Sequence, residues 1–165
     1  MQSVGVPLRE EERENIEVVD LGLGELEITG LQILTLCATE WVGAKLLILR
    51  PNQFFPQHRH PPSAPEDYPG KIELFRGQYG EACLYVPGEP VRKPMMSPPP
   101  HRLPYCTVWH EIIVGPGQQY VCPPNTWHWF QAGPGGAVMW SISSKVTDAA
   151  DQFFDPQVIR LSETD

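Results

Sequence analysis

The chain has 165 residues, enough for one domain with a real core and too few for two. Its 20 acidic and 12 basic residues give a net charge of −8, which argues against a nucleic-acid partner, because phosphate recognition needs a basic surface and no Lys/Arg stripe occurs. No stretch approaches the roughly 20 apolar residues of a membrane span, and the acidic start MQSVGVPLREEERE lacks an apolar centre, so neither a membrane partner nor a secretory signal is expected and the location expected is cytoplasmic.

In chain order, residues 8–19 (LREEERENIEVV) are predicted as a short charged helix anchored by Ile16 and Val19. From there the chain reads as strands, at 25–37, 44–50, 53–60, 72–76, 82–86, 107–114, 119–122, 126–132 and 136–143. Most are short, many alternate, and Gly, Pro or Asn separates them. Two Pro-rich stretches, 61–70 and 86–100, are predicted as long loops on a barrel rim. The stretch 147–165 is polar with Phe153, Phe154 and Val158 as anchors, and is expected to cross the outside of the barrel or join a dimer contact. This pattern predicts an all-β jelly roll with a short N-terminal helix, in one domain: an arm over about 1–24, a barrel over about 25–146 and an extension over 147–165. The four cysteines (Cys37, Cys83, Cys106 and Cys122) form no CxxC pair and sit among apolar residues, so buried free thiols are expected.

The segment His58-Arg59-His60 lies on a predicted strand, where side chains at i and i+2 share a face, so both imidazoles can meet one ion. His128 on a distant strand would add a third nitrogen, and Glu73 a carboxylate. Three neutral nitrogens and one carboxylate suit Mn, Fe, Co or Zn, and no Cys shares the spacing. Glu66 is a rival to Glu73, being nearer His60 in sequence. Glu73 is preferred because it stands at a strand edge with six residues between it and Gly80.

Five residues separate Asn52 from His58, six separate Glu73 from Gly80, and His128 closes the run G117-QQYVC-P123-P-N125-TW-H128. These resemble the two motifs of the cupins, G-x5-H-x-H-x(3,4)-E-x6-G and G-x5-P-x-G-x2-H, with Asn for Gly at positions 52 and 125. Asn is the side chain that best tolerates the left-handed turn such positions require. Between His60 and Glu73 the chain has twelve residues where the motif has three or four, and the Pro-rich loop accounts for the excess.

Within the cupins the chain resembles the short single-domain branch of the D-lyxose ketol-isomerase family. The matching stretches are HRHPP (58–62), GKIELFRGQYG (70–80), YVPGE (85–89), TVWHEI (107–112), PPNTWHWFQAG (123–133) and DQFFDP (151–156). The resemblance implies a metal, usually manganese, on His58, His60, Glu73 and His128. It also implies interconversion of an aldose such as D-lyxose or D-mannose with its ketose through a metal-stabilised enediolate. Trp109, Trp127 and Trp129 would supply apolar faces for the sugar, with His110 near them, and a homodimer is expected. One position departs: Ser141 stands where the family carries a Glu. That leaves Lys71 and Glu111 as the catalytic candidates. It also keeps two other readings open, a sugar-binding cupin with reduced catalysis and a cupin metalloenzyme of another class such as a dioxygenase.

Overall fold

Alternating apolar residues build the walls of this protein. The computed structural model describes residues 5–63, 67–146 and 148–160. Strands β1 (Ile16–Val19), β2 (Leu31–Ala38), β3 (Gly43–Leu49), β4 (Phe54–Arg59), β5 (Glu73–Val86), β6 (His110–Val114), β7 (Gln119–Cys122), β8 (His128–Ser143) and β9 (Gln152–Phe153) pair in the order β1-β2-β3-β8-β4-β9. Strand β5 pairs with β6, β7 and β8, and every pairing between these strands is antiparallel. Because β8 meets β5 on one edge and β3 and β4 on the other, the sheet curls on itself into the all-β jelly roll of a cupin.

The period of two decides which side chains fill it. In β2 and β3, Leu31, Ile33, Leu47 and Leu49 point inward to one core with Phe55, Phe75, Leu84, Phe130 and Met139. Their neighbours Leu34 and Leu46 point outward and are covered by Val6, with Leu8 and Ile16 packed beside them. A second outer cluster, formed by Phe54, Cys83, Tyr85, Met96, Cys106 and Trp129, lies beneath the Pro-rich connection between β5 and β6. That stretch therefore covers an outer face, where the sequence suggested a rim loop.

The predicted N-terminal helix is shorter than its charge pattern suggested. Only α1 (Glu10–Glu14) is helical; it buries no residue and is stopped at Asn15. The following IEVV is β-branched at three of four positions and pairs with β2 from Ile16 opposite Leu34 to Val19 opposite Leu31. Two pairs of predicted strands each merge into one. Strand β5 continues through register shifts at Gly77 and Gly80, and opposite the second shift β8 carries the Gly133–Gly136 excursion. Gly80 is required there: its φ is 61°, and a Cβ would stand 2.0 Å from the Gly136 carbonyl oxygen. Residues 25–29 form a turn ahead of β2, with Ile28 and Thr29 N–H donating to the Glu25 carbonyl. No helix among the described residues is long and apolar enough to cross a membrane.

Candidate metal centre

Strand β4 brings His58 and His60 to the interior through a local irregularity. Phe55 faces Phe130 and His58 faces His128, so two residues of β4 lie between these pairs where β8 has one. The bulge falls at Pro56 and Gln57. Proline has no N–H to give to the ladder, so a bulge is where a strand can accept it. Without the extra residue His58 and Phe55, three apart, would face opposite sides. With it both line the cavity, while Gln57 turns outward and holds Thr107 through its amide. The turns that feed the two ligand strands use the expected asparagines: Asn52 has φ 60° and Asn125 φ 56°.

Among the described residues, His58, His60 and His128 form a cluster whose candidate ligand nitrogens all lie within 4.8 Å of one another. His58 Nδ1 donates to the Pro56 carbonyl and His128 Nδ1 to the Thr126 carbonyl, both at 2.9 Å. Each donation fixes the tautomer and leaves Nε2 with its lone pair. His128 Nε2 is fully buried with no hydrogen-bond partner, an arrangement that costs free energy unless something else binds there. His60 Nδ1 donates to Asp151 at 2.6 Å, and its Nε2 lies 2.8 Å from Glu73 Oε2. A shared proton joins those two atoms here, a role that a divalent cation can take over. Glu73 Oε1 accepts from the Ser141 hydroxyl. Three imidazoles and one carboxylate therefore fit a first-row divalent metal.

The electrostatics follow from burial. His58 is held well below the ordinary imidazole range by burial and by His128 and His60. Burial pushes His128 down to about 3, with His60 adding to the effect. Both are neutral near pH 7, as ligands must be. Burial alone would lower His60, but Asp151 and Glu73 outweigh it and raise the group. Burial alone would also raise Glu73, yet Lys71 and His60 keep it well below the usual carboxylate range. Lys71, only 4% exposed, lies 3.5 Å from Glu73 and 3.1 Å from Asp148. Those two carboxylates overcome its burial and raise its pKa, so it is a buried cation.

His58, His60, Lys71 and Glu73 line a pocket of about 410 Å³, open solvent at its mouth included. Its walls are apolar (Leu31, Ile33, Leu47, Phe55, Phe75, Phe130) and its polar side carries Lys45, Lys71, Ser141, Asp148, Asp151 and Arg160. Three of these polar residues come from the C-terminal stretch. Residues 148–160 bring them to the site, a role additional to the outer packing or dimer contact expected from the sequence. Asp148, Asp151, Arg160 and Lys45 were not anticipated as site residues. Lys45 had a usable signal: in GAKLLIL it falls in phase with the inward Leu47 and Leu49.

Several anticipated residues lie elsewhere. Glu111 pairs with Tyr85 across β5 and β6, accepts from the Tyr85 hydroxyl at 2.5 Å and the Met95 N–H at 2.7 Å, and faces the outer cluster. Trp129 is fully buried in that cluster, stacked on Tyr85 at 3.9 Å, because it alternates with the inward His128 and Phe130. Trp109 packs edge-on against both rings and donates to the Cys106 carbonyl. His110 hydrogen-bonds the Glu89 carbonyl through Nδ1, and Trp127 carries the Arg59 guanidinium over its ring at 4.6 Å. None of these five lines the cavity. Glu66 lies outside the described residues.

No family model matches the chain. It is 48% identical over 163 residues to the D-lyxose/D-mannose isomerase of Thermosediminibacter oceani, covering 99% of this chain and 89% of that protein. The D-lyxose ketol-isomerases of Thermofilum sp. and Cohnella laeviribosi are 47% and 45% identical over 163 and 160 residues, covering 99% and 97% of this chain and 89% and 87% of theirs. Among solved structures, the L-ribose isomerase of Cellulomonas parahominis with L-ribose superposes with a TM-score of 0.75 at 16% identity, covering 95% of this chain and 87% of that one. The Acinetobacter sp. L-ribose isomerase with L-ribose gives 0.76 at 14% identity, with the same coverage. At those identities the two structures establish the fold, and the near full-length identity to the curated proteins establishes the relationship. The chain belongs to the D-lyxose ketol-isomerase family.

Proposed function

We propose that this protein is a metal-dependent aldose–ketose isomerase acting on D-lyxose- and D-mannose-type sugars. His58, His60, Glu73 and His128 are its metal ligands, and manganese is the preferred ion among those the site suits. One observation carries the reading. A buried His128 with an unpartnered Nε2 clusters with two further imidazoles, and both of those line a pocket together with Glu73. Identity of 48% to a D-lyxose/D-mannose isomerase supports the substrate class.

A divalent cation bound there supplies Lewis-acid polarisation of a sugar carbonyl and its neighbouring hydroxyl, the charge stabilisation that an enediolate route requires. The chain's own residues do the rest. Phe55, Phe75 and Phe130 keep one wall free of water. Lys71 retains its proton between Glu73 and Asp148, so its catalytic role is that of a fixed cation facing negative charge on substrate oxygen. Ser141 steadies the ligand carboxylate by donating to Glu73.

We read the chain as one cupin domain that works as a homodimer. Cys37, Ala44, Ile142, Leu74 and Val121 stand in one cross-strand row on the outer face of β2, β3, β8, β5 and β7. Ile142 and Val121 are more than two-fifths exposed, which supports a second copy as their cover. Four free cysteines accord with a reducing, cytoplasmic location.

The direct test incubates Mn(II)-loaded protein with D-lyxose and D-mannose in D2O. Formation of the corresponding ketoses with deuterium incorporated at the exchanged carbon is expected. Saturable sugar binding without turnover would instead establish a binding protein, and oxygen uptake with Fe(II) alone a dioxygenase.

A further inference from the structure

We infer that segment 148–160 is a strap coupled to the metal centre, with Asp151 as the positioning residue that links them; this rests on the metal reading above. The segment touches two of the three candidate ligand histidines. Asp151 Oδ1 accepts from His60 Nδ1 at 2.6 Å, and the Phe153 ring stacks on His58 with centroids 5.4 Å apart and 25° between planes. Strand β9 pairs Phe153 with His58 and Gln152 with Arg59, and the Gln152 side chain accepts twice from the Arg59 guanidinium, at 3.0 and 2.8 Å. The same segment carries Asp148 and Arg160 into the cavity. Strap, ligands and pocket wall are one connected structure.

The two ends of the strap are held differently. Its far end is anchored by the buried Arg102–Asp155 pair at 2.8 Å and by the Ile159 N–H on the Leu21 carbonyl, neither of which touches the metal centre. Its near end rests on a two-residue strand, on the Asp148 ion pairs to Lys45 and Lys71, and on Asp151, whose side chain is only 9% exposed. A carboxylate this buried is stable only while a strong donor faces it. A cation held at His60 Nε2 would confine the proton to Nδ1 and so lock the donation to Asp151 in place. Asp151 in turn makes His60 a better ligand. Linkage makes the effect reciprocal: the factor by which Asp151 tightens metal binding is the factor by which metal tightens the near end of the strap. Metal loading thus tightens the near end of the strap, which carries Asp148 to the pocket.

Two measurements on the full chain test this, neither using turnover. In the wild type, amide hydrogen exchange at residues 152–154 slows at least about tenfold when Mn(II) is added, while residues 157–160 change little. In Asp151→Asn, which keeps the shape and removes the charge, Mn(II) affinity by chelator competition falls about 10- to 100-fold. The protection at 152–154 falls with it, and the ligand-field bands of the Co(II)-loaded protein shift. Asp151→Glu recovers part of the affinity. Unchanged exchange at 152–154 in the wild type on Mn(II) addition overturns the coupling whether or not any variant folds. An Asp151→Asn protein that binds Mn(II) within twofold of wild type overturns the positioning role. A wild-type chain that binds neither Mn(II) nor Co(II) overturns the metal reading and this inference together.

Discussion

His58 and His60 differ in what holds their second nitrogen, and the contrast shows how single residues set this site. One Nδ1 is tied to a backbone carbonyl and the other to a carboxylate, so only His60 is open to tuning by a side chain. Lys71 is equally defined by its neighbours. Lys71→Met removes the cation between Glu73 and Asp148 and is expected to lower kcat about 100-fold or more, with Mn(II) binding retained; steady-state kinetics alongside chelator competition separate the two effects. Asn125 is the residue-scale test of the turn before β8. At φ 56° a β-branched side chain is strained, so Asn125→Val is expected to cost about 1–2 kcal/mol in urea unfolding and Asn125→Gly to stay near wild type. The three clustered histidines are legible as residues because an i, i+2 pair and a distant histidine keep their spacing whatever the loops between them do. Ser141 was legible only as a departure. Its use, donating to Glu73, depends on β5 and β8 being neighbours.

At the scale of elements, the sequence was read well where alternation was clean and poorly where an irregularity carried the function. Strand β3 declared its inward face; the bulge at Pro56 did not, although it alone lets Phe55 and His58 share a side. Strands β5 and β8 looked broken at their glycines because Gly77, Gly80 and Gly133–Gly136 are turn residues in most settings. Here partner strands on both edges carry the chain through. Glu111, Trp109 and Trp129 face away from the pocket for a related reason: a Pro-rich connection covers the outer face and gives it a core of its own, so burial there no longer marks the interior. Of the C-terminal strap the apolar anchors Phe153 and Val158 are legible, and the acidic groups are not, since Asp148 and Asp151 matter only by where they dock. Its ion pairs yield a prediction. Asp148 is lowered to about 2 because Lys71 and Lys45 outweigh its burial. A depressed carboxylate stabilises the fold above its unfolded pKa near 3.8, and that contribution is lost as pH falls toward 2. It amounts to about 2 kcal/mol. Metal-free wild type should therefore lose about that much more stability than Asp148→Asn between pH 5 and pH 2, measured by urea unfolding.

For the whole molecule, the free thiols and the outer apolar row give two further expectations. Burial pushes Cys83, Cys106 and Cys122 up to about 12 each. At pH 8 no more than one thiol of the native protein should react with an aromatic disulfide, against four after denaturation. Replacing Ile142 and Val121 together by Arg should convert a dimer to a monomer in sedimentation equilibrium while leaving the far-UV spectrum unchanged, since both side chains already face solvent in the single chain.

The strand that ends the barrel carries His128 inward and Trp129 outward, one residue apart. Sliding β8 by one position against β4 would exchange an imidazole for an indole at the centre and bring the hydroxyl partner of Glu73 to the wrong face. Such a misaligned molecule could still hydrogen-bond its backbone and bury a comparable apolar area, yet it would have no third nitrogen for the ion. An ion bound at the proposed site would therefore act as a proofreader of strand alignment. It would withdraw correctly paired chains from the folding ensemble, and mispaired ones would gain nothing from it.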